Sequence, residues 1–94
     1  MKIRYSSQAR NDLNSIFQYL QKRSLSGARN VTRAIYASVQ FLVERPFASQ
    51  ETDKQGVRIK VVRRYSFKIF YTVSDDTIEI IHMRHTARRP FAEE

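Results

Sequence analysis

The chain has 94 residues and no cysteine, which suits one domain with a small core and excludes disulfides, thiol catalysis and cysteine-based zinc sites. Seventeen Lys and Arg residues against nine Asp and Glu residues give a formal net charge of +8, which favours an anionic macromolecular partner. No apolar run resembles a signal peptide or approaches the ~18 residues of a membrane span, so the sequence predicts a soluble cytoplasmic protein without membrane association.

The first half of the chain predicts a short strand followed by two helices. Residues 2–5 alternate in polarity as a strand does, and Ser6 or Ser7 can cap the helix that follows. Two apolar stripes at helical spacing are separated by a break at residues 24–27, and Pro46 ends the second. The stripes contain Leu13, Ile16 and Leu20, then Val31, Ile35, Val39 and Leu42. We therefore expect an antiparallel helical hairpin.

The second half changes to a period of two residues. Residues 47–56 are polar and predict a loop. Two alternating segments follow, around residues 57–61 and 66–73, then a turn at residues 74–77 and a segment at residues 78–84 that is apolar enough for a central strand. We expect the hairpin to face Val57, Ile59, Phe67, Ile69 and Ile78 or Ile80. The predicted fold class is α+β, in the order β-α-α-β-β-β, with the helical hairpin on one face of a small antiparallel sheet. The pattern does not fix where the first strand lies in that sheet.

Several kinds of catalytic site are excluded by the sequence. Two distant glycines cannot form a phosphate-cradling loop, and there is no HExxH motif. His82 and His85 are three residues apart, so on a strand their rings point to opposite faces and do not converge on a metal. We expect neither a metal nor a cofactor, and His82 is expected simply to pack.

Basic residues are concentrated in the second half and form the candidate anion-binding or target-binding site. Its members are Arg58, Lys60, Lys68, Arg84, His85, Arg88 and Arg89. Arg58 and Lys60 share one strand face, and Lys68 is expected beside them on the next strand. The last four gather where the final strand ends, where their mutual repulsion favours a bound anion. For Arg58 and Lys60, the alternative is the solvated side of a one-sided sheet.

Several sequence segments, in this element order, resemble the ParE/RelE superfamily of toxins of type II toxin–antitoxin systems, among them Gly56-Val57-Arg58 with residues 65–71 after it, and two longer ones at the ends. The first runs Ser7-x-Ala9-x-x-Asp12-Leu13-x-x-Ile16-x-x-Tyr19, and the second covers residues 78–85 and continues as x-x-Arg88-x-Pro90. The resemblance covers residues 1–90, which are identified as one toxin domain, and leaves residues 91–94 as a loose tail. It implies a hetero-oligomer with a cognate antitoxin, ParD-like or similar.

The resemblance implies one of two activities. ParE-like members inhibit DNA gyrase without chemistry of their own, whereas RelE-like members cut messenger RNA on the ribosome. In the second case His85, Arg84, Arg58 and Lys60 would be the catalytic candidates. However, Thr86 follows His85 where that branch has an aromatic residue, and no tyrosine occurs after Tyr71. A gyrase inhibitor of the plasmid-stabilisation type is therefore the first interpretation, a ribosome-dependent endoribonuclease the second, and a toxin fold with another activity the third.

Overall fold

The computed structural model describes residues 1–54 and 56–85 and confirms the predicted α+β class. The elements are β1 (Lys2–Tyr5), α1 (Ser7–Gln21), α2 (Leu25–Glu44), β2 (Gln50–Glu51), β3 (Val57–Val62), a short 3-10 helix (Arg63–Tyr65), β4 (Phe67–Ser74) and β5 (Thr77–His85). The two-residue strand β2 lies in the segment that was predicted to be loop only.

The five strands form one sheet in the order β1-β5-β4-β3-β2. The predicted meander is present, because β3, β4 and β5 pair in an antiparallel sense. β1 pairs with β5 in parallel, with Ile3 opposite Ile78 and Tyr5 opposite Ile80, so the sheet is mixed rather than wholly antiparallel. A parallel neighbour needs a long crossover, and the intervening helices and strands provide it.

Serine side chains fix where both helices begin. The hydroxyl of Ser6 accepts from the Ala9 N–H at 3.0 Å, and the hydroxyl of Ser24 accepts from the Gly27 N–H at 3.0 Å. Each satisfies an N–H group that the first helical turn leaves without a partner. The Ser6 hydroxyl also donates to the carbonyl of Ile81 at 3.0 Å, which ties the start of α1 to β5.

The core lies between the helical hairpin and one face of the sheet. Its buried members include Val31, Ile35, Val39 and Leu42 from α2 and Phe67, Ile69, Tyr71, Ile78, Ile80 and Met83 from the sheet. Leu13, Ile16 and Leu20 pack against this cluster and are only partly buried. The stripes predicted from the sequence therefore face the sheet, with α2 more deeply enclosed than α1.

The predicted facing of β3 is wrong. Val62 lies opposite Phe67 and Arg58 lies opposite Tyr71, so the even-numbered residues of β3 share the face that meets the helices. Val57 and Ile59 fall on the other face, and Val61 is 41% exposed. The reversal is possible because long basic side chains can lay their stems over apolar surface while their charged heads reach polar groups at its margin.

A bulge in β5 changes the side of the sheet to which its side chains point. Phe70 pairs with His82, whereas the next residue, Tyr71, pairs with Ile80, so Ile81 is the additional residue. Without it, His82 would continue the buried row of Ile78 and Ile80. The bulge instead brings Met83 into the core and places His82 beside Phe70 on the face away from the helices, here called the open face.

Candidate functional site

A short polar contact between α1 and the sheet joins Asp12 to His82. Oδ2 of Asp12 lies 2.7 Å from Nδ1 of His82 and also accepts the backbone N–H of Met83 at 2.9 Å. An ionised carboxylate only accepts hydrogen bonds, so this geometry places the imidazole proton on Nδ1. Gln8 donates to the other carboxylate oxygen at 2.7 Å, so neighbouring groups hold the Asp12 side chain on both sides.

Four side chains with binding chemistry meet on the open face. Lys68 lies opposite Arg84, and Phe70 lies opposite His82, on adjacent strands β4 and β5. The Phe70 and His82 rings are tilted at 31° with centroids 5.3 Å apart, and the Arg84 guanidinium lies 6.0 Å from the Phe70 centroid. We call Lys68, Phe70, His82 and Arg84 the open-face cluster. It combines two permanent cations, a titratable ring and an aromatic surface.

Arg58 holds the segment that follows α2. Its Nη1 donates to the carbonyl of Ser49 at 2.6 Å and to that of Phe47 at 3.4 Å, and its guanidinium lies 5.0 Å from the Phe47 ring centroid. The hydroxyl of Tyr71, opposite Arg58 in the sheet, donates to the carbonyl of Pro46 at 2.9 Å. Together they fasten residues 46–49 to the sheet, which gives Arg58 a structural role in the fold.

Lys60 lies beside a groove at the margin of the sheet. Its ammonium is 4.5 Å from the ring centroid of Phe41 in α2. The groove has a volume of about 330 Å³ and is lined by Ala48, Ser49, Ile59, Lys60, Val61, Arg63 and Lys68. Three of these residues are cationic and none is acidic, so the groove has a chemical preference for anionic groups.

The structure separates the basic residues that the sequence grouped. Arg58 and Lys60 share a strand face, as expected, whereas Lys68 lies opposite Val61 on the other face of the sheet and neighbours Lys60 only at the groove that both line. Arg84 does join Lys68. His85 lies opposite Phe67, and their rings meet edge to face with centroids 4.6 Å apart. Arg88, Arg89 and the predicted tail at residues 91–94 lie outside the described residues.

Sequence reasoning missed the role of Asp12. His82 was expected to pack without a specific partner, and the bulge that turns it toward Phe70 has no clear signature in the sequence. One signal was available, since Asp12 is the only acidic residue in the first 43 positions. An isolated carboxylate in so basic a segment is a candidate for a specific contact.

The basic surface has few internal partners. Within residues 1–54 and 56–85, the ion pair between Asp12 and His82 is the only one, and no Lys or Arg there is paired with a carboxylate. Several guanidinium and ammonium groups lie over aromatic rings instead, as for Arg23 over Tyr19 at 4.1 Å. The positive charge of this part of the chain is therefore available to an external anionic partner.

No group of three or more His, Asp or Glu side chains in the described part of the chain could hold a metal ion. No helix there is both long enough and apolar enough to cross a bilayer.

Residues 3–90 match the family model described as the ParE toxin of the type II toxin-antitoxin system, parDE. No curated protein matches the sequence. Among solved structures, a chain of the chromosomal ParDE TA system from P. aeruginosa is similar to this one with a TM-score of 0.78, at 22% identity, over 92% of this chain and 96% of that chain.

More distant folds are also similar. A chain of the E. coli DinJ-YafQ complex and YafQ from E. coli strain BL21(DE3) each match with a TM-score of 0.61 and 16% identity, over 92% of this chain and 93% of theirs. At these identities the likeness of the structures shows the fold, and the family model shows the family.

Proposed function

Because this chain belongs to the ParE family of toxins of type II toxin-antitoxin systems, we propose that it inhibits DNA gyrase in the cytoplasm and that a cognate antitoxin neutralises it. The observation that carries the proposal is the match of the family model to residues 3–90, nearly the whole chain. The activity is assigned through the family, because one fold can host several activities.

The charge of the chain supports a neutralising partner that is acidic. The net charge is +8, and Lys and Arg side chains in the described residues have no carboxylate partners. An acidic antitoxin would supply these carboxylates, and electrostatic attraction would accelerate its association. The proposed complex is a hetero-oligomer, like the DinJ-YafQ complex named among the similar structures.

The basic end of β5 supports target binding without chemistry. Arg84 and His85 lie on its last two positions, and Arg88 and Arg89 follow in the sequence. In a gyrase inhibitor these residues would act as contacts, each through a hydrogen bond or ion pair with the target. No acid–base role is required of them, and no tyrosine follows Tyr71 to provide one.

The open-face cluster favours one alternative function, a ribosome-dependent endoribonuclease. Cleavage by a 2′-hydroxyl needs a proton acceptor, a proton donor and a cation on the phosphate. His82, oriented by Asp12, lies on the same face as Lys68 and Arg84, and Phe70 offers a surface on which a base can stack. Under this alternative, His82 joins His85, Arg84, Arg58 and Lys60 as a catalytic candidate.

Expression in a bacterial host tests the proposal. We expect induction of this chain alone to arrest growth with DNA breaks and intact messenger RNA, and co-expression of a small acidic protein from the adjacent reading frame to restore growth. The Ile35→Ala variant, which removes a fully buried side chain, controls for toxicity caused by expression of any basic polypeptide. A well-tolerated monodisperse protein without an acidic neighbour would contradict the proposal.

A further inference from the structure

The groove beside β3 lies at an unpaired strand edge. β2 covers β3 only at Arg58 and Ile59, through pairs with Glu51 and Gln50. Beyond Ile59, no strand of the described residues lies on the side of β3 away from β4. An open edge of this kind is a template for a further strand.

Alternation along β3 shows which backbone groups face that edge. The Val57 N–H donates to the carbonyl of Lys54 at 3.1 Å, and the Val57 carbonyl accepts from Thr52 at 2.8 Å, both on the side away from β4. Residues two apart on a strand repeat this orientation, so Ile59 and Val61 turn their N–H and C=O groups the same way. Ile59 meets β2, whereas the Val61 backbone has no partner there in the described part of the chain.

The side chains around Val61 define what can pair with it. Ile59 and Val61 line the groove together with the cations Lys60, Arg63 and Lys68, and the Val61 side chain is 41% exposed. A second copy of this chain would bring further positive charge to the same edge, so self-pairing is opposed. Nucleic acid would satisfy the cations but has no alternating N–H and C=O groups to pair with the edge.

We propose that an extended, acidic peptide segment adds a strand to β3 at Val61. Its backbone pairs with the Val61 N–H and C=O, alternate apolar side chains cover Ile59 and Val61 on one face of the sheet, and the carboxylates between them meet Lys60 and Arg63. This inference deepens the proposed function and rests on it, because it locates where one segment of the acidic partner docks.

Binding of a defined peptide to the purified full chain tests the inference. The probe is an end-blocked, fluorescently labelled eight-residue peptide that alternates valine and glutamate, titrated by anisotropy at fixed salt. One variant is Val61→Pro, which removes the edge N–H while leaving the β4 ladder intact, since proline is compatible with an edge strand. The second is Lys60→Glu with Arg63→Glu, and its matched control is Arg29→Glu with Arg33→Glu, at exposed positions of α2 with the same change in net charge.

We expect Val61→Pro to weaken binding by roughly twofold to tenfold, since it removes one neutral hydrogen bond. We expect the groove reversal to weaken binding about tenfold or more relative to the α2 control, since one charge-assisted hydrogen bond contributes roughly that factor. Circular dichroism melts establish folding, and the groove reversal alone decides the test if Val61→Pro does not fold. Equal affinities for groove reversal and control would overturn the inference. An eight-nucleotide single-stranded DNA that displaces the peptide at equal concentration would do so as well. Growth arrest and its neutralisation by the antitoxin are measured in a separate experiment. The proposed toxin function and the proposed strand addition at Val61 can therefore fail independently.

Discussion

Oδ2 of Asp12 lies 2.7 Å from Nδ1 of His82 and 2.9 Å from the backbone nitrogen of Met83, so one carboxylate oxygen holds two groups of β5. The contact occurs just beyond the point where β1 ceases to pair with β5, at Tyr5 and Ile80. Beyond that point no β1 residue pairs with β5, and the Asp12 side chain accepts the Met83 N–H instead of a strand carbonyl. Asp12 therefore fastens α1 to the sheet and orients His82 on the open face.

Replacement of Asp12 by alanine tests this fastening. Met83 is buried, so loss of its hydrogen-bond acceptor is expected to lower the free energy of unfolding by about 1–3 kcal/mol. The matched control is Asn14→Ala, an exposed position of the same helix, which reports the change in helix propensity without loss of a contact to the sheet. Urea denaturation measures both, and an Asp12→Ala variant as stable as Asn14→Ala would show that the contact contributes nothing.

Core truncations should reveal the unequal burial of the two helices. Ile35 in α2 is fully buried, and Ile35→Ala is expected to cost about 2–5 kcal/mol. Ile16 in α1 is only half-buried, so Ile16→Ala should cost clearly less. Chemical denaturation of the two variants measures the difference. Equal losses, or a larger loss at Ile16, would mean that the helices pack against the sheet differently.

The fold was predictable from the sequence wherever the spacing of buried apolar residues matched the period of the helix or strand that contains them. The helical stripe of Val31, Ile35, Val39 and Leu42 is buried as a unit, and β4 alternates as expected through Phe67, Ile69 and Tyr71. On β3 the alternating pattern predicted the wrong face, because Arg58 and Lys60 occupy the helix-facing row, where long side chains can be accommodated half-buried. A period of two does not reveal which of its rows faces inward when both contain long side chains.

The candidate site depended on features that the sequence does not specify. Lys68 and Arg84 face each other only because of the β4–β5 register, and His82 joins them only because of the bulge at Ile81. Bulges depend on how a strand fits its neighbours, which local composition does not encode. The parallel pairing of β1 was undetermined for the same reason, since a four-residue strand can pair at either edge of a meander.

Replacement of Arg58 should lower the stability of the fold, because Arg58 holds the segment that follows α2. Arg58→Met retains the apolar stem but removes the hydrogen bonds to the carbonyls of Ser49 and Phe47, and we expect a loss of about 1–3 kcal/mol. Arg64→Met is the control, because Arg64 is exposed and, among the described residues, contacts only the Tyr65 ring, at 5.5 Å. Thermal melts compare the two variants. Unchanged stability of Arg58→Met with weakened toxicity would instead indicate direct contact with the target.

Tyr5 should make the protein sensitive to alkaline pH. Burial, together with the neighbouring Tyr36, raises the pKa of the Tyr5 hydroxyl above its ordinary value of 10.0. The folded state thus retains the proton that the unfolded state releases, so this contribution to stability is complete below pH 10 and declines as the pH rises further. As the pH is raised from 8 to 11, the urea concentration at the midpoint of unfolding should fall less steeply for Tyr5→Phe than for the unaltered chain. Parallel pH profiles would contradict the assignment.

The central claim is tested most directly by supercoiling with purified gyrase, run beside cleavage of ribosome-bound messenger. The account predicts that the purified chain inhibits supercoiling and leaves messenger intact. It also predicts that His85→Gln, which keeps a hydrogen-bond donor, remains inhibitory. If the chain is a nuclease, loss of a proton-transfer group at His82 or His85 should slow cleavage by about 100- to 10,000-fold. Codon-phased cuts in the messenger together with normal supercoiling would contradict the account.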